Sequence, residues 1–189
     1  MGVTDPIRNK EDLEAFKQYY LKKGKKRNYL LLILGMNTAL RISDILQLQW
    51  KDVYDSENHC YREHINLTEQ KTGKKNRIAL NPAVVEALTQ YHQGQPQTAY
   101  LFCTSNNYDH PISRSQAWRI VREAADALHL TDRISCHSLR KTFGYHAWKQ
   151  GVPPALLMNI YNHSSYQITK RYLGIEQDDK DDVFRKILL

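Results

Sequence analysis

The run Tyr29-Leu30-Leu31-Leu32-Ile33-Leu34-Gly35 is the longest apolar stretch in the chain. A helix with apolar side chains all round has no face to offer water. The segment Asn28 to Met36 is therefore predicted as a buried helix around which the rest of the chain packs. The run is far short of the ~20 residues needed to cross a bilayer, so no membrane helix is expected. A chain of 189 residues can close such a core without staples. With 41% hydrophobic and 25% charged residues it has an ordinary globular composition. That sets aside intrinsic disorder, collagen-like repeats and a disulfide scaffold. The opening Met1-Gly2-Val3-Thr4-Asp5-Pro6 has no apolar secretion core, and no signal peptide is expected.

More helices are predicted on either side of a short β-prone region. Lys10 to Leu21 carries Leu13, Phe16, Tyr20 and Leu21 near helical spacing, and Gly24 marks its end. Ser43 is a candidate N-cap for a short helix through Ile45, Leu46 and Leu48. Val53-Tyr54, Cys60 to Leu67 and Arg77 to Leu80 favour strands, with Lys71-Thr72-Gly73-Lys74-Lys75-Asn76 as the last turn. This predicts a three-stranded antiparallel sheet over about 51–80. Asn81-Pro82 pairs an N-cap with an N1 proline and opens a helix to about His92. Further helices are expected over Ser113–Leu130, Ser138–Gln150, Pro153–Tyr161 and Ser165–Leu173, with a tail helix over about 178–189. Val183, Phe184, Ile187 and Leu188 form an apolar stripe on that tail. The fold class is mainly α with a small three-stranded antiparallel β-sheet near the front.

Lys and Arg total 27 against 20 acids, a net charge of +7, which suits a polyanionic partner as well as an inert basic surface. The basic stretch Lys22 to Arg27 is one candidate contact for such a polyanion; a solvated helix end is the alternative. Cys60, Cys103 and Cys136 are dispersed and odd in number, which points to a reducing compartment and away from structural zinc.

Five features could carry chemistry. Arg41 lies in Ala39-Leu40-Arg41-Ile42-Ser43-Asp44, where the buried helix gives way to the next one. Lys71 opens a Lys-Thr-Gly-Lys hairpin turn. His137 and Arg140 are three apart, so they share a helix face. His163 sits between two helices in Asn162-His163-Ser164-Ser165, and Tyr172 follows nine residues later. Singly, each has a plain structural reading: a surface ion pair, solvated turn lysines, a chance His-x-x-Arg, a helix-capping histidine, a packed tyrosine.

In order and spacing together, these residues resemble the tyrosine recombinases, the phage integrase family. The resemblance spans residues 36 to 175 and is strengthened by Thr142, Gly151-Val152 and Leu156. It implies that Tyr172 is the nucleophile of a DNA strand transesterification through a 3′-phosphotyrosine. Arg41 and Arg140 would hold the scissile phosphate, since arginine offers a permanently charged planar fork. His163 would donate to the same oxygens, His137 would accept the tyrosine proton, and Lys71 would protonate the leaving 5′-oxygen. Lys74, Lys75, Arg77, Lys141 and Arg171 are candidate DNA contacts beside these positions. No metal, ATP or other cofactor is expected, because two arginines supply the charge a magnesium ion would bring.

The implied partners are a double-stranded DNA target site and further copies of the chain, as a tetramer on DNA and a monomer when free, with no membrane. The implied place is the cytoplasm, at the nucleoid. The family usually has Gly where Asn162 stands and often His where Lys141 stands. It also usually carries an N-terminal core-binding domain, for which this chain leaves no room, so residues 1–189 read as a single catalytic domain. A type IB topoisomerase-like enzyme, a catalytically inactive DNA-binding module and a metal nuclease are the competing readings. The amphipathic tail favours recombination over the first. The complete set of six positions disfavours the second. The lack of carboxylates beside His137 and His163 disfavours the third.

Overall fold

The apolar run does organise the molecule. The computed structural model describes residues 4–104 and 107–187. Helix α2 (Lys26–Asn37) is buried from Asn28 through Met36. It packs against α1 (Lys10–Lys22), α5 (Pro82–Tyr91) and α7 (Cys136–Lys149). The approach to α7 runs through Gly35, where a Cβ would meet Leu139 Cδ1 at 2.6 Å. That contact brings the end of α2, and with it Arg41, close to the Leu139-Arg140 turn of α7.

Two short helices, α3 (Ile42–Ile45) and α4 (Trp50–Val53), lead into the β region. Arg41 rather than Ser43 is the cap residue of α3. The expected three-stranded sheet is instead two separate two-stranded antiparallel hairpins, β1–β2 (Tyr54–Asp55, Cys60–Tyr61) and β3–β4 (His64–Thr68, Lys75–Ala79). The expected strand from Cys60 to Leu67 breaks at Arg62-Glu63. There Arg62 N donates to Val53 O at 2.9 Å and Arg62 Nε donates to Lys51 O at 2.8 Å, so the chain folds back on α4. A third hairpin, β5–β6 (Cys103–Thr104, Asn107–Pro111), was not expected, since its sequence has no apolar–polar alternation.

The later helices follow their capping signals. Asn81 Oδ1 accepts from Val84 N at 3.0 Å to start α5. Ser113 and Gln116 form a reciprocal capping box at the start of α6 (Arg114–Ala127). α8 (Pro154–Tyr161), α9 (Tyr166–Leu173) and α10 (Glu176–Lys186) complete the chain. A second, smaller core of Ala39, Tyr145, Leu157, Tyr161, Leu173 and Ile175 lies beneath α7, α8 and α9. Gly144 is required here, because a Cβ would collide with the Tyr161 hydroxyl and with Leu173. No described helix is long and apolar enough to cross a membrane.

Candidate active site

Five segments deliver the candidate residues. Arg41 follows α2, Lys71 lies in the β3–β4 turn, His137 and Arg140 lie in the first turns of α7, and Tyr172 lies near the end of α9. His163 is delivered by a turn in which Asn162 takes left-handed geometry, φ +56° and ψ +48°. Asparagine tolerates that region better than most residues, so the departure from glycine leaves the turn intact. His163 N then donates to Met158 O at 3.0 Å and closes α8.

The Tyr172 ring is held on three sides. Tyr161 and His163 each lie 5.3 Å from it between centroids, and Lys141 Nζ lies 5.2 Å from its centre. Burial raises the Tyr172 pKa, while Arg140 and then Arg41 pull it back down, leaving it above its ordinary value. The phenol is therefore protonated at neutral pH and needs a base. Arg140 is buried, with its guanidinium 4.8 Å over the Tyr161 ring. Tyr161 in turn donates to Arg140 O at 2.7 Å, which braces the backbone of the arginine.

Both histidines sit in the field of the arginines. His163 is pushed below its ordinary pKa by burial, then by Arg140 and Arg41. Its Nδ1 lies 3.1 Å from Thr169 Oγ1, whose other contact, Ser165 O, is longer at 3.4 Å. His137 keeps an exposed edge, yet its pKa is also lowered, by loss of solvent and then by Lys141, Arg140, Lys71 and Arg41. At pH 7 both rings are neutral.

The candidate DNA contacts divide. Lys75 and Arg77 lie on the outer face of β4, alternating with the half-buried Asn76 and Ile78. Arg77 Nη2 lies 3.2 Å from His64 Nδ1. Lys74 is half-buried, and Arg171 is exposed on α9. Lys141 does not fit the expectation. It is 7% exposed, and its ammonium donates to Thr4 O at 2.5 Å. Position 141 faces inward from α7, so the lysine ties down the N-terminal segment and packs on Tyr172 instead of reaching DNA.

That segment is a feature sequence reasoning missed. Asp5 N donates to Arg133 O at 3.2 Å, and Ile7 N donates to Thr142 Oγ1 at 2.9 Å. His146 Nε2 lies 2.9 Å from Ile7 O, and Arg8 Nη2 donates to Gly174 O at 3.1 Å. Residues 4–8 thus run along α7 and reach the end of the tyrosine-bearing helix. Only the unexplained polarity of Thr142 and His146 on an otherwise packed helix hinted at it.

Of the two readings of the basic stretch Lys22 to Arg27, the pairings it makes favour the solvated helix end. Lys25 pairs with Glu123 at 3.3 Å, Lys23 Nζ donates to Tyr19 Oη at 2.5 Å, and Arg27 donates to Cys103 O at 2.7 Å. It lies at the start of α2, whose 12 residues span about 18 Å before Arg41 is reached. Replacing Lys23 and Lys25 with Gln is expected to leave the salt dependence of DNA binding unchanged. Replacing Lys75 and Arg77 is expected to flatten it by about 0.9 for each phosphate no longer neutralised. Log–log plots of affinity against salt check both.

A buried arginine beside a packed tyrosine, a second arginine, two neutral histidines and a hairpin lysine lie within one another's field, the arrangement that the resemblance to the tyrosine recombinases implies. The chain matches the Phage integrase family over residues 8–178 and belongs to that family. It is 46% identical over 178 residues to the probable integrase/recombinase YoeC of Bacillus subtilis, covering 94% of this chain and 93% of that protein. It is 31% identical over 166 residues to a tyrosine recombinase of Pseudothermotoga lettingae, covering 86% of this chain but only 54% of that one. The fold is similar to that of the XerA recombinase crystal structure, with a TM-score of 0.75 at 18% identity, over 98% of this chain and 67% of that one. The chain is a DNA breaking-rejoining enzyme, a site-specific recombinase of the tyrosine type.

Proposed function

We propose that Tyr172 Oη attacks the scissile phosphorus, forming a 3′-phosphotyrosine as the P–O5′ bond breaks. The phenolic proton passes to His137, whose lowered pKa keeps it neutral and ready to accept. Lys71 gives a proton to the departing 5′-oxygen. Arg41, Arg140 and His163 hold the non-bridging oxygens and offset the charge that builds in the transition state. A second 5′-hydroxyl then attacks the phosphotyrosine and restores the phosphodiester, with no ATP consumed. The observation that carries this reading is the packing of Tyr172 against Tyr161, His163 and Lys141 with Arg140 buried beside it, all in the field of Arg41.

The substrate is double-stranded DNA, met at the nucleoid in the cytoplasm. Residues 1–189 act as one catalytic domain, monomeric when free and tetrameric on DNA. The described tail supports assembly in trans. Val183, Phe184 and Ile187 are 59%, 80% and 60% exposed, which leaves these three apolar side chains open to a neighbouring protomer. Leu188 and Leu189 lie outside the described residues. Removing residues 184–189 is expected to leave the melting temperature and single-strand cleavage unchanged. It should abolish the multi-protomer complex on native gels and the strand-exchange product. A truncated chain that fails to fold would assign the tail to its own protomer.

The reading is tested by incubating the protein, with EDTA present, with fragments of the replicon that carries its gene. Adducts that survive denaturation are recovered and their DNA sequenced. One recurrent sequence joined through a 3′ end is expected. Adducts at scattered sequences would favour a topoisomerase, and cleavage that needs magnesium and leaves no adduct would favour a nuclease.

A further inference from the structure

Glu69 is 2% exposed and lies against the candidate site, yet the mechanism above gives it no role. Both oxygens of its carboxylate are paired. Oε2 accepts from Arg41 Nη1 at 2.5 Å and from Thr72 Oγ1 at 2.7 Å, and Oε1 accepts from Asn76 Nδ2 at 2.7 Å. Its backbone closes the hairpin as well, with Glu69 N donating to Lys74 O and Gly73 N donating to Glu69 O, both at 2.9 Å. The next residue is anchored too, for Gln70 N donates to Asp44 Oδ1 at 3.0 Å. Positions 69, 70 and 72 are thus tied down, and Lys71 stands exposed between them.

A hairpin needing only an anchor would be served by a neutral amide, and burying a carboxylate costs several kcal/mol unless it is paired. Here the pairing partner is the arginine proposed to bind phosphate. Arg41 has five donors, and Glu69 takes one nitrogen of its fork, leaving the rest for a second anion. Burial pushes the Glu69 carboxyl up, but the Thr72 hydroxyl and Arg41 more than reverse this, with Arg140 adding to the effect. The carboxylate therefore stays ionised beside the place a phosphate would occupy.

We propose that Glu69 is a positioning residue that couples the two halves of the reaction, fixing the fork of Arg41 and the hairpin of Lys71 relative to one another through one buried charge. This rests on the assignment of Arg41 to the phosphate and Lys71 to the leaving group. Because Glu69 repels the phosphate, it weakens binding of uncleaved DNA while holding the donors where the transition state needs them. Binding and cleavage should therefore move in opposite directions when its charge is removed.

Glu69→Gln is the direct test. Gln can still accept from Thr72 and Arg41, and its amide can donate to Asn76 once that side chain turns over. Only the charge is removed. The probe is the nicked duplex recovered by adduct capture, made with normal oxygen and with sulfur at the 5′-bridging position. Glu69→Gln is expected to bind the normal duplex as tightly as wild type or a few-fold more tightly, and to cleave it roughly tenfold or more slowly, within the range of one weakened transition-state donor. The sulfur duplex, whose leaving group needs no proton, should recover the share of rate that runs through Lys71 and not the share that runs through Arg41.

Thr72→Val loosens the hairpin but leaves the Glu69–Arg41 pair. It should slow cleavage of normal DNA and be fully restored on the sulfur duplex, and it decides the matter if Glu69→Gln does not fold. Wild-type cleavage by both variants would overturn the proposal. So would a parallel loss of binding, cleavage and melting temperature, which is the mark of a merely structural residue. Arg41→Ala and Lys71→Ala serve as controls. If Lys71→Ala gains nothing from sulfur, the underlying assignment fails instead.

Discussion

Tyr172→Phe is expected to bind DNA within a few-fold of wild type and to form no covalent adduct at all. The ring contacts with Tyr161, His163 and Lys141 involve only the aromatic face and edge, and phenylalanine keeps them. What goes is the one oxygen that can attack phosphorus. Denaturing gels of the trapped complex read the adduct, and gel shift reads the binding. Tyr161 offers no substitute nucleophile, since it is buried and its hydroxyl donates to Arg140 O. An adduct from the Phe variant would move the nucleophile to the half-buried Tyr166, at the opposite end of α9.

Lys71→Ala should slow cleavage of normal DNA by the ~10²–10⁴-fold typical of a missing general acid. A departing alkoxide is strongly basic, whereas a departing thiolate is stable, a thiol having a pKa of about 8.5. On the sulfur duplex the same variant should cleave nearly as fast as wild type. Arg41→Ala should remain slow on both duplexes, because charge stabilisation does not depend on the leaving group. Single-turnover rates on the two duplexes check this. The choice among the hairpin lysines also has structural support. Lys71 lies near enough to His137 for its charge to help lower the histidine's pKa. Lys75 lies in β4, paired with Thr68. Rescue of Lys74→Ala or Lys75→Ala by sulfur, in place of Lys71→Ala, would shift the acid within the hairpin and leave the mechanism standing.

Much of the helical frame was readable because its signals are local. Asn81-Pro82, Ser113 with Gln116, and Ser165 start their helices through hydrogen bonds spanning three residues, and such bonds are written in consecutive positions. The apolar run at Tyr29–Gly35 needed only its own side chains to become the centre of the core. The order of Arg41, Lys71, His137, Arg140, His163 and Tyr172 was equally plain in the chain. The sheet was less so, because Arg62 and Glu63 look like any strand residues until α4 is there to receive the Arg62 side chain.

The sequence by itself determined the helices, the turn at Asn162 and the family, and it named the residues proposed to do chemistry, because each depends on residue type and short spacing. Tertiary structure alone decided what those residues face. Lys141 looks like a surface cation until the Thr4 carbonyl, 137 positions away, accepts its ammonium. Glu69 looks like a turn residue until Arg41, 28 positions earlier, closes on it. Val183, Phe184 and Ile187 look as able to fold inward as outward until the structure places them in the open. In each case the energy lies in a pairing between distant segments. A charge or an apolar face carries no record along the chain of the partner that will desolvate it.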